Sequence, residues 1–379
     1  MERLVLVVSA AVFIDTMFYA VISPLLPDLS HQLGLSKLSA GVMTASYPAG
    51  MLIGSFPGGV LAVRRGPRFT VCVGLLMLVA STVAFGWLDS APALDVARFA
   101  EGFGGACSWA GGIAWLVAAT PLERRGAVIG KALAMAIGGS LFGPAIGAVA
   151  SAIGRGPLFT VLAMSGLVLT TFVRSVPDQT ESSQQSVTVV IKMMGRPAMM
   201  RGLWLMALPA VVSGTLNVLA PLQIHKFGGG AAVIGATFLV GAGLEAIVSP
   251  WVGHLSDRHG RLLPLRLGLV GTAITLGCFT LPTTTLELSM LVILVCIVLG
   301  GFWAPAMALL SDVSERYGID QAHAAALMNL AWAAGQIVGA AGGGATAKAF
   351  GDSFPAVVTA GVCVLSIAAT RRSTVPDRG

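Results

Sequence analysis

Charge is scarce in this chain. Only 11% of its 379 residues are Asp, Glu, Lys or Arg, against about 25% in an ordinary soluble protein. The five cysteines, Cys72, Cys107, Cys278, Cys296 and Cys363, all fall inside apolar runs. Their spacing fits neither a disulfide framework nor a zinc site, so they read as small hydrophobic side chains. The formal net charge is +6, but no stretch interleaves basic residues with aromatics as a nucleic-acid groove would. No phosphate loop is present either. The nearest approach, Gly126-Ala-Val-Ile-Gly130-Lys131-Ala, is one residue short and lacks a Ser or Thr after the lysine. The polar segments are too short to form a nucleotide domain, and no nucleophile–base pair or metal cluster suggests an enzyme. No cofactor is expected.

What the chain has is hydrophobic length. It is 55% hydrophobic with a mean hydropathy of +0.85 and contains 48 glycines, a composition that places it among polytopic membrane proteins. A spanning helix needs about 20 largely apolar residues. Twelve such segments occur, near 4–28, 36–60, 69–88, 92–119, 127–152, 156–175, 202–224, 231–253, 263–283, 286–311, 321–348 and 352–370. Asp15 interrupts the first run and no small-residue cleavage site follows, so that run is expected to be a retained span rather than a signal peptide. A polar stretch at 176–201 divides the chain into two six-span bundles, 1–175 and 202–379. Within it Val187–Met194 is amphipathic and is expected to form a short helix on the membrane surface. Lys and Arg set the orientation. With the N-terminus inside, eighteen lie on the inner side, Arg371, Arg372 and Arg378 among them, and four (Lys37, Arg155, Lys226, Lys348) on the outer side. Both termini are therefore expected in the cytoplasm, in a plasma membrane of the bacterial inner-membrane type.

The two halves repeat. Gly139, Gly143 and Gly147 recur every four residues and share one helix face. Gly335, Gly339 and Gly343 stand 196 residues later. Gly41 and Gly59 match Gly235 and Gly253 at an offset of 194, and Gly104 and Gly105 match Gly300 and Gly301 at 196. Pro144, inside the first glycine stripe, becomes Ala340 in the second. Six spans per half is an even number, so the halves are parallel repeats. That plan places a cavity between them.

Ionisable residues inside the spans each need a reason, since one at the bilayer centre costs about 2.5–3.5 kcal/mol on insertion scales. Asp15 lies about 18 Å of helix beyond Arg3, near mid-membrane, with no partner three or four residues away. It can carry a proton, or a cross-helix partner can hold it to position span 1. Arg98 and Glu101 share a face of span 4, either as a self-neutralising pair or as a pair that exchanges partners. Glu245 sits mid-span 8 with no local partner and is a candidate for lining the cavity. Asp312, near the inner end of span 10, is either a cavity residue or a solvated loop acid. Asn217, Asn329 and Gln336 can hydrogen-bond a substrate or another helix. Tyr19, Tyr47, Trp109, Trp303 and Trp332 are candidates for an aromatic cavity wall suited to cations or flat organics, with helix packing as the alternative.

The loop after span 8 reads Gly253-His-Leu-Ser-Asp257-Arg258-His-Gly260-Arg261. It resembles the signature loop of the major facilitator superfamily. The counterpart after span 2 keeps Gly59, Arg64, Gly66 and Arg68 but has Val63 in place of the acid. Gly130, Gly139, Gly143, Pro144 and Gly147 resemble the fifth-helix motif of antiporters, with Ala148 for its last glycine. The run around Leu94, Arg98, Gly102 and Gly104 is similar to the family motif whose arginine is linked to proton transfer, with Glu101 where Gln is usual. Asp15-Thr-Met17 followed by Pro24 and Pro27 looks like drug–proton antiporters and vesicular amine transporters. Asp312 matches a second acid of the amine transporters, and Asn329 stands where a third would be.

The resemblance implies an all-α protein of twelve transmembrane helices, arranged as two parallel six-helix repeats around a central cavity. It implies a monomeric secondary transporter driven by a proton gradient, with the lipid bilayer, protons and a small-molecule substrate as its partners. The reading that follows is proton-coupled efflux of small amphipathic compounds, with Asp15 as the proton carrier. Proton-coupled import of a metabolite is the nearest alternative, and a transport-dead receptor on the same fold a more distant one.

Overall fold

The computed structural model describes residues 2–178, 187–319 and 321–371. Residues 179–186 of the central stretch, and Arg372 and Arg378 from the basic tally, lie outside them. Helices account for nearly all of what is described, and no strand occurs among the described residues. Ten helices are long and apolar enough to cross a membrane by length and composition. Lys37–Arg65, richer in Gly, Pro and Ser, and Ser353–Arg371 bring the set to twelve.

Spans 1 to 6 are Glu2–Leu33, Lys37–Arg65, Pro67–Trp87, Ala91–Ala119, Leu122–Ile153 and Arg155–Ser175. Spans 7 to 12 are Pro197–Lys226, Ala231–His259, Leu262–Thr280, Thr285–Arg316, Gln321–Phe350 and Ser353–Arg371. Each expected segment has its helix, and several helices run past the hydrophobic window into capped ends. Ser36 accepts a hydrogen bond from the Ser39 amide at the start of span 2. Thr284 and Glu287 form a reciprocal capping box at the start of span 10. Gly66 and Gly260 take positive φ angles of 92° and 81° directly after spans 2 and 8. That conformation ends a helix at little cost only when no Cβ is present.

The Val187–Met194 helix is present. Val190 is buried with Met199, Met206 and Leu310 in a cluster beneath spans 7 and 10.

The glycine stripes are close-approach faces. A Cβ on Gly139 would collide with the Phe13 carbonyl of span 1, and one on Gly147 with the Val21 carbonyl. In the other half, Gly335 and Gly339 meet the carbonyls of Ala207 and Val211 in span 7. Span 5 thus lies on span 1 as span 11 lies on span 7. Helices so close gain dispersion contacts along their length, which drives association where lipid is as apolar as the side chains.

The halves meet by a second matched pair of contacts. A Cβ on Gly235 of span 8 would lie 2.9 Å from the Pro144 carbonyl oxygen of span 5. One on Gly41 of span 2 would collide with the Ala340 carbonyl of span 11. Lys37 pairs with Asp352 beside this seam. Span 5 runs through Pro144 as one helix, whereas span 11 opens into a π-helical segment, Val338–Gly342, around Ala340. The end of the molecule carrying these contacts is closed across the halves.

The signature loops lie at the other end. Arg68 reaches the Val176 carbonyl and Asp178, and Arg261 reaches Asp257 and Asp312. Each of these bonds stays within its own half. Arg64, Arg258 and Asp257 are exposed. Gly59, Gly130 and Gly253 have nothing within 4 Å of an added Cβ, so close packing does not account for them.

Candidate functional site

Between the halves lies a cavity of about 470 Å³, within the size range of small-molecule sites. Its wall is assembled from both halves. Tyr19, Tyr47 and Trp109 come from the first six spans, and Asn217, Glu245, Trp303, Asn329, Trp332 and Gln336 from the last six.

Asp15 is fully buried in this wall. The Tyr47 hydroxyl donates to one carboxylate oxygen at 2.7 Å, and the Trp109 indole N–H donates to the other at 2.9 Å. Spans 1, 2 and 4 therefore converge on one carboxyl group. Gly105 makes the approach possible, because a Cβ there would collide with the Asp15 carboxylate. Both oxygens accept, which is the pattern of an ionised carboxylate. A proton on either oxygen would remove the charge that strengthens both of these bonds.

Behind Asp15 is a second polar layer that does not line the cavity. Arg98 and Glu101 are both fully buried and form an ion pair at 2.7 Å. Arg98 also donates to the Phe18 and Tyr19 carbonyls at 2.8 and 3.0 Å, and Thr82 donates to Glu101 at 3.2 Å. These carbonyls lie beside Val21, where span 1 turns between its two helical segments. The guanidinium also stands over the Tyr47 ring, 5.1 Å from its centroid. The ion pair is thus tied to the aromatic group that holds Asp15.

An aromatic bridge leads from that point to the other half. Tyr19 lies 5.1 Å from Tyr47 and 5.2 Å from Trp332, centroid to centroid, the second contact being edge-to-face. The Asn217 amide approaches the Tyr19 hydroxyl at 3.3 Å. In the second half Gln336 donates to Ser213 at 2.7 Å, and both line the cavity.

Asp312 is elsewhere. It accepts from Arg261 at 3.1 Å beside the signature loop and is not among the cavity residues. About three turns of helix past the span's midpoint, it sits with the loop cations rather than in the cavity wall for which it was a candidate. Sequence reasoning also missed several wall residues, among them Met51, Met206, Met307, Met328 and Ser213. Methionine adapts its shape to irregular surfaces, but a lone Met in a membrane helix reads as ordinary apolar filling. Among the described residues no group of acidic, His or Cys side chains could hold a metal ion.

Comparison with known proteins agrees with this architecture. The chain is 30% identical over 229 residues to a probable vesicular acetylcholine transporter of Danio rerio, a match covering 57% of this chain and 44% of that protein. It is 25% identical over 352 residues to the synaptic vesicular amine transporter of Homo sapiens, covering 88% of this chain and 66% of that protein. An uncharacterised transporter of Escherichia fergusonii is 26% identical over 290 residues, covering 75% and 74%. Among solved structures, a D-xylose–proton symporter superposes with a TM-score of 0.79 at 17% identity, covering 98% of this chain and 97% of that one. A bacterial homologue of the human lysosomal transporter Spinster, inward-facing and occupied, gives 0.80 at 14% identity, covering 100% and 98%. These structural likenesses speak for the fold alone. The family profile described as Major Facilitator Superfamily matches residues 8–319 and again 203–378, and the chain belongs to that superfamily.

Proposed function

We propose that the protein is a proton-coupled exporter of small amphipathic organic compounds, working by rocking of its two halves about the cavity. The observation that carries this reading is Asp15, buried in the cavity wall and held by one donor from span 2 and one from span 4. A proton arriving there removes the charge and weakens both bonds. The change passes through Tyr47 and Tyr19 to Asn217 and Trp332, which belong to the opposite half. Proton loading and the relation between the halves are thereby linked through one continuous run of contacts. The wall suits an amphipath, since aromatic and methionine side chains offer an adaptable apolar surface.

With the orientation that Lys and Arg favour, the closed seam at Gly41 and Gly235 faces outward. The signature loops then face the cytoplasm and, among the described residues, make no hydrogen bond or ion pair to the opposite half, which corresponds to an inward-facing arrangement. Each pH unit across the membrane supplies about 1.4 kcal/mol per proton, enough for a tenfold gradient in one-for-one exchange.

Reconstituted liposomes with an imposed pH gradient test the reading. Antiport drives a permanently charged organic cation into the acidic compartment, whereas symport drives it out. Protein-dependent accumulation in an acidic lumen that is lost in Asp15→Asn is the expected result. Gradient-driven movement that survives this substitution unchanged would falsify the proton role of Asp15.

A further inference from the structure

Glu245 lines the same cavity as Asp15 but belongs to the opposite half, at the midpoint of span 8. Its surroundings differ in kind. Its Cγ rests over Gly300 of span 10, where an added Cβ would come within 2.7 Å. Ser249, one helical turn further on, spends its hydroxyl on the Gly300 carbonyl at 3.2 Å. Among the described residues the Glu245 carboxyl has neither a hydrogen-bond nor an ion-pair partner. The one cation buried within a span among the described residues, Arg98, is engaged by Glu101 and two carbonyls in the other half. The Glu245 side chain is only partly buried and lines the cavity, so the carboxyl is open to whatever occupies that space.

We propose that Glu245 is the counter-ion of the substrate: a cationic centre on the bound molecule seats against it, while Asp15 is left to the proton. This deepens the exporter reading and rests on it. Asp15 is poorly placed for the substrate charge, because it is fully buried and its charge is already engaged by Tyr47 and Trp109. Glu245 offers both oxygens without such partners. Around the same cavity Trp303, Trp332, Met206, Met307 and Met328 provide apolar and π surface, which suits the organic body of a lipophilic cation. The substrate class is thus a monovalent cation on an apolar frame, and anions of similar shape are rejected by like charge.

The test is equilibrium binding to the full-length protein in lipid nanodiscs. The probes are radiolabelled tetraphenylphosphonium, a permanent cation, and chloramphenicol, a neutral amphipath. Wild-type protein should bind the cation more tightly than the neutral probe. Glu245→Gln should lower the affinity for the cation, and with it the cation preference, by about 10- to 100-fold. Glu245→Asp, which keeps the charge, should recover part of that loss. Thermal unfolding of both variants shows whether a loss of binding is a loss of fold. Undiminished cation binding in a folded Glu245→Gln protein overturns the assignment, as does an equal fall for both probes or a wild-type protein without cation preference. Lost proton coupling with intact cation binding would move Glu245 to the proton and overturn it as well. Failure of the exporter reading shows separately: cation binding through Glu245 without gradient-driven movement breaks that reading and leaves the counter-ion in place.

Discussion

The two six-helix halves share a scaffold and differ in what they place on it. In the first half the glycine pair of span 4 gives Asp15 room at Gly105, and both carboxylate oxygens find donors. In the second half the matched pair in span 10 gives Glu245 room at Gly300, and no donor follows. Behind Asp15 lies the buried Arg98–Glu101 pair. The corresponding register of span 10, 196 residues on, holds Leu294 and Ile297. Backbone approach was therefore duplicated and buried charge was not. The lesson is that the scaffold stands without the ion pair, so the pair's presence in one half calls for a role other than holding helices together.

Substitutions can break or sharpen this contrast. The largest effect is expected from Asp15→Asn, which should abolish gradient-driven accumulation in liposomes, because the carrier can no longer change its charge. Arg98→Met comes next. It leaves Glu101 buried without its cation and should destabilise the protein by about 3–5 kcal/mol, read as a fall in unfolding temperature in detergent. The double variant Arg98→Met/Glu101→Met should regain most of that stability, since it leaves no buried charge unpaired. A double variant as unstable as the single one would make the pair structural and erase the contrast.

Leucine at Gly41 or at Gly235 should act on the seam between the halves, and by similar amounts, because both positions receive a matched carbonyl. Each should open the closed end and raise labelling of Cys296, a cavity residue, by an impermeant thiol reagent applied from that side. Several-fold faster labelling in a protein retaining only this cysteine is the expected readout. Very different rates would show that the π-helical segment of span 11 makes the two seams unequal. The smallest effect belongs to Lys37→Met. Its ion pair with Asp352 is half-exposed, and such pairs contribute about 0–1 kcal/mol, so the unfolding temperature should barely move.

The scaffold was largely legible in the sequence because its determinants are local. Hydrophobic length marked the twelve helices, and four-residue glycine spacing marked the close faces of spans 5 and 11. The matching of Gly41 with Gly235 was visible too, although its partners Ala340 and Pro144 were not, since nothing in a sequence says which carbonyl a glycine will receive. The site was legible only in part. Asp15 stood out as an isolated acid, but the donors Tyr47 and Trp109 lie 32 and 94 residues away and are joined to it only by folding. Asp312 misled for the same reason, because the Arg261 that claims it sits 51 residues earlier. The methionines of the wall carried no signal distinct from that of lipid-facing residues.

The account rests on Asp15 exchanging its proton as substrate binds, and proton release measures this directly. Purified protein in weakly buffered detergent solution, loaded with tetraphenylphosphonium, can be followed with a pH indicator. If proton and substrate compete, linkage requires that binding one expels the other. At a pH where Asp15 is protonated in the free protein, the wild type should release up to about one proton per cation bound, and Asp15→Asn should release none. Release from Asp15→Asn equal to that of the wild type would contradict the account.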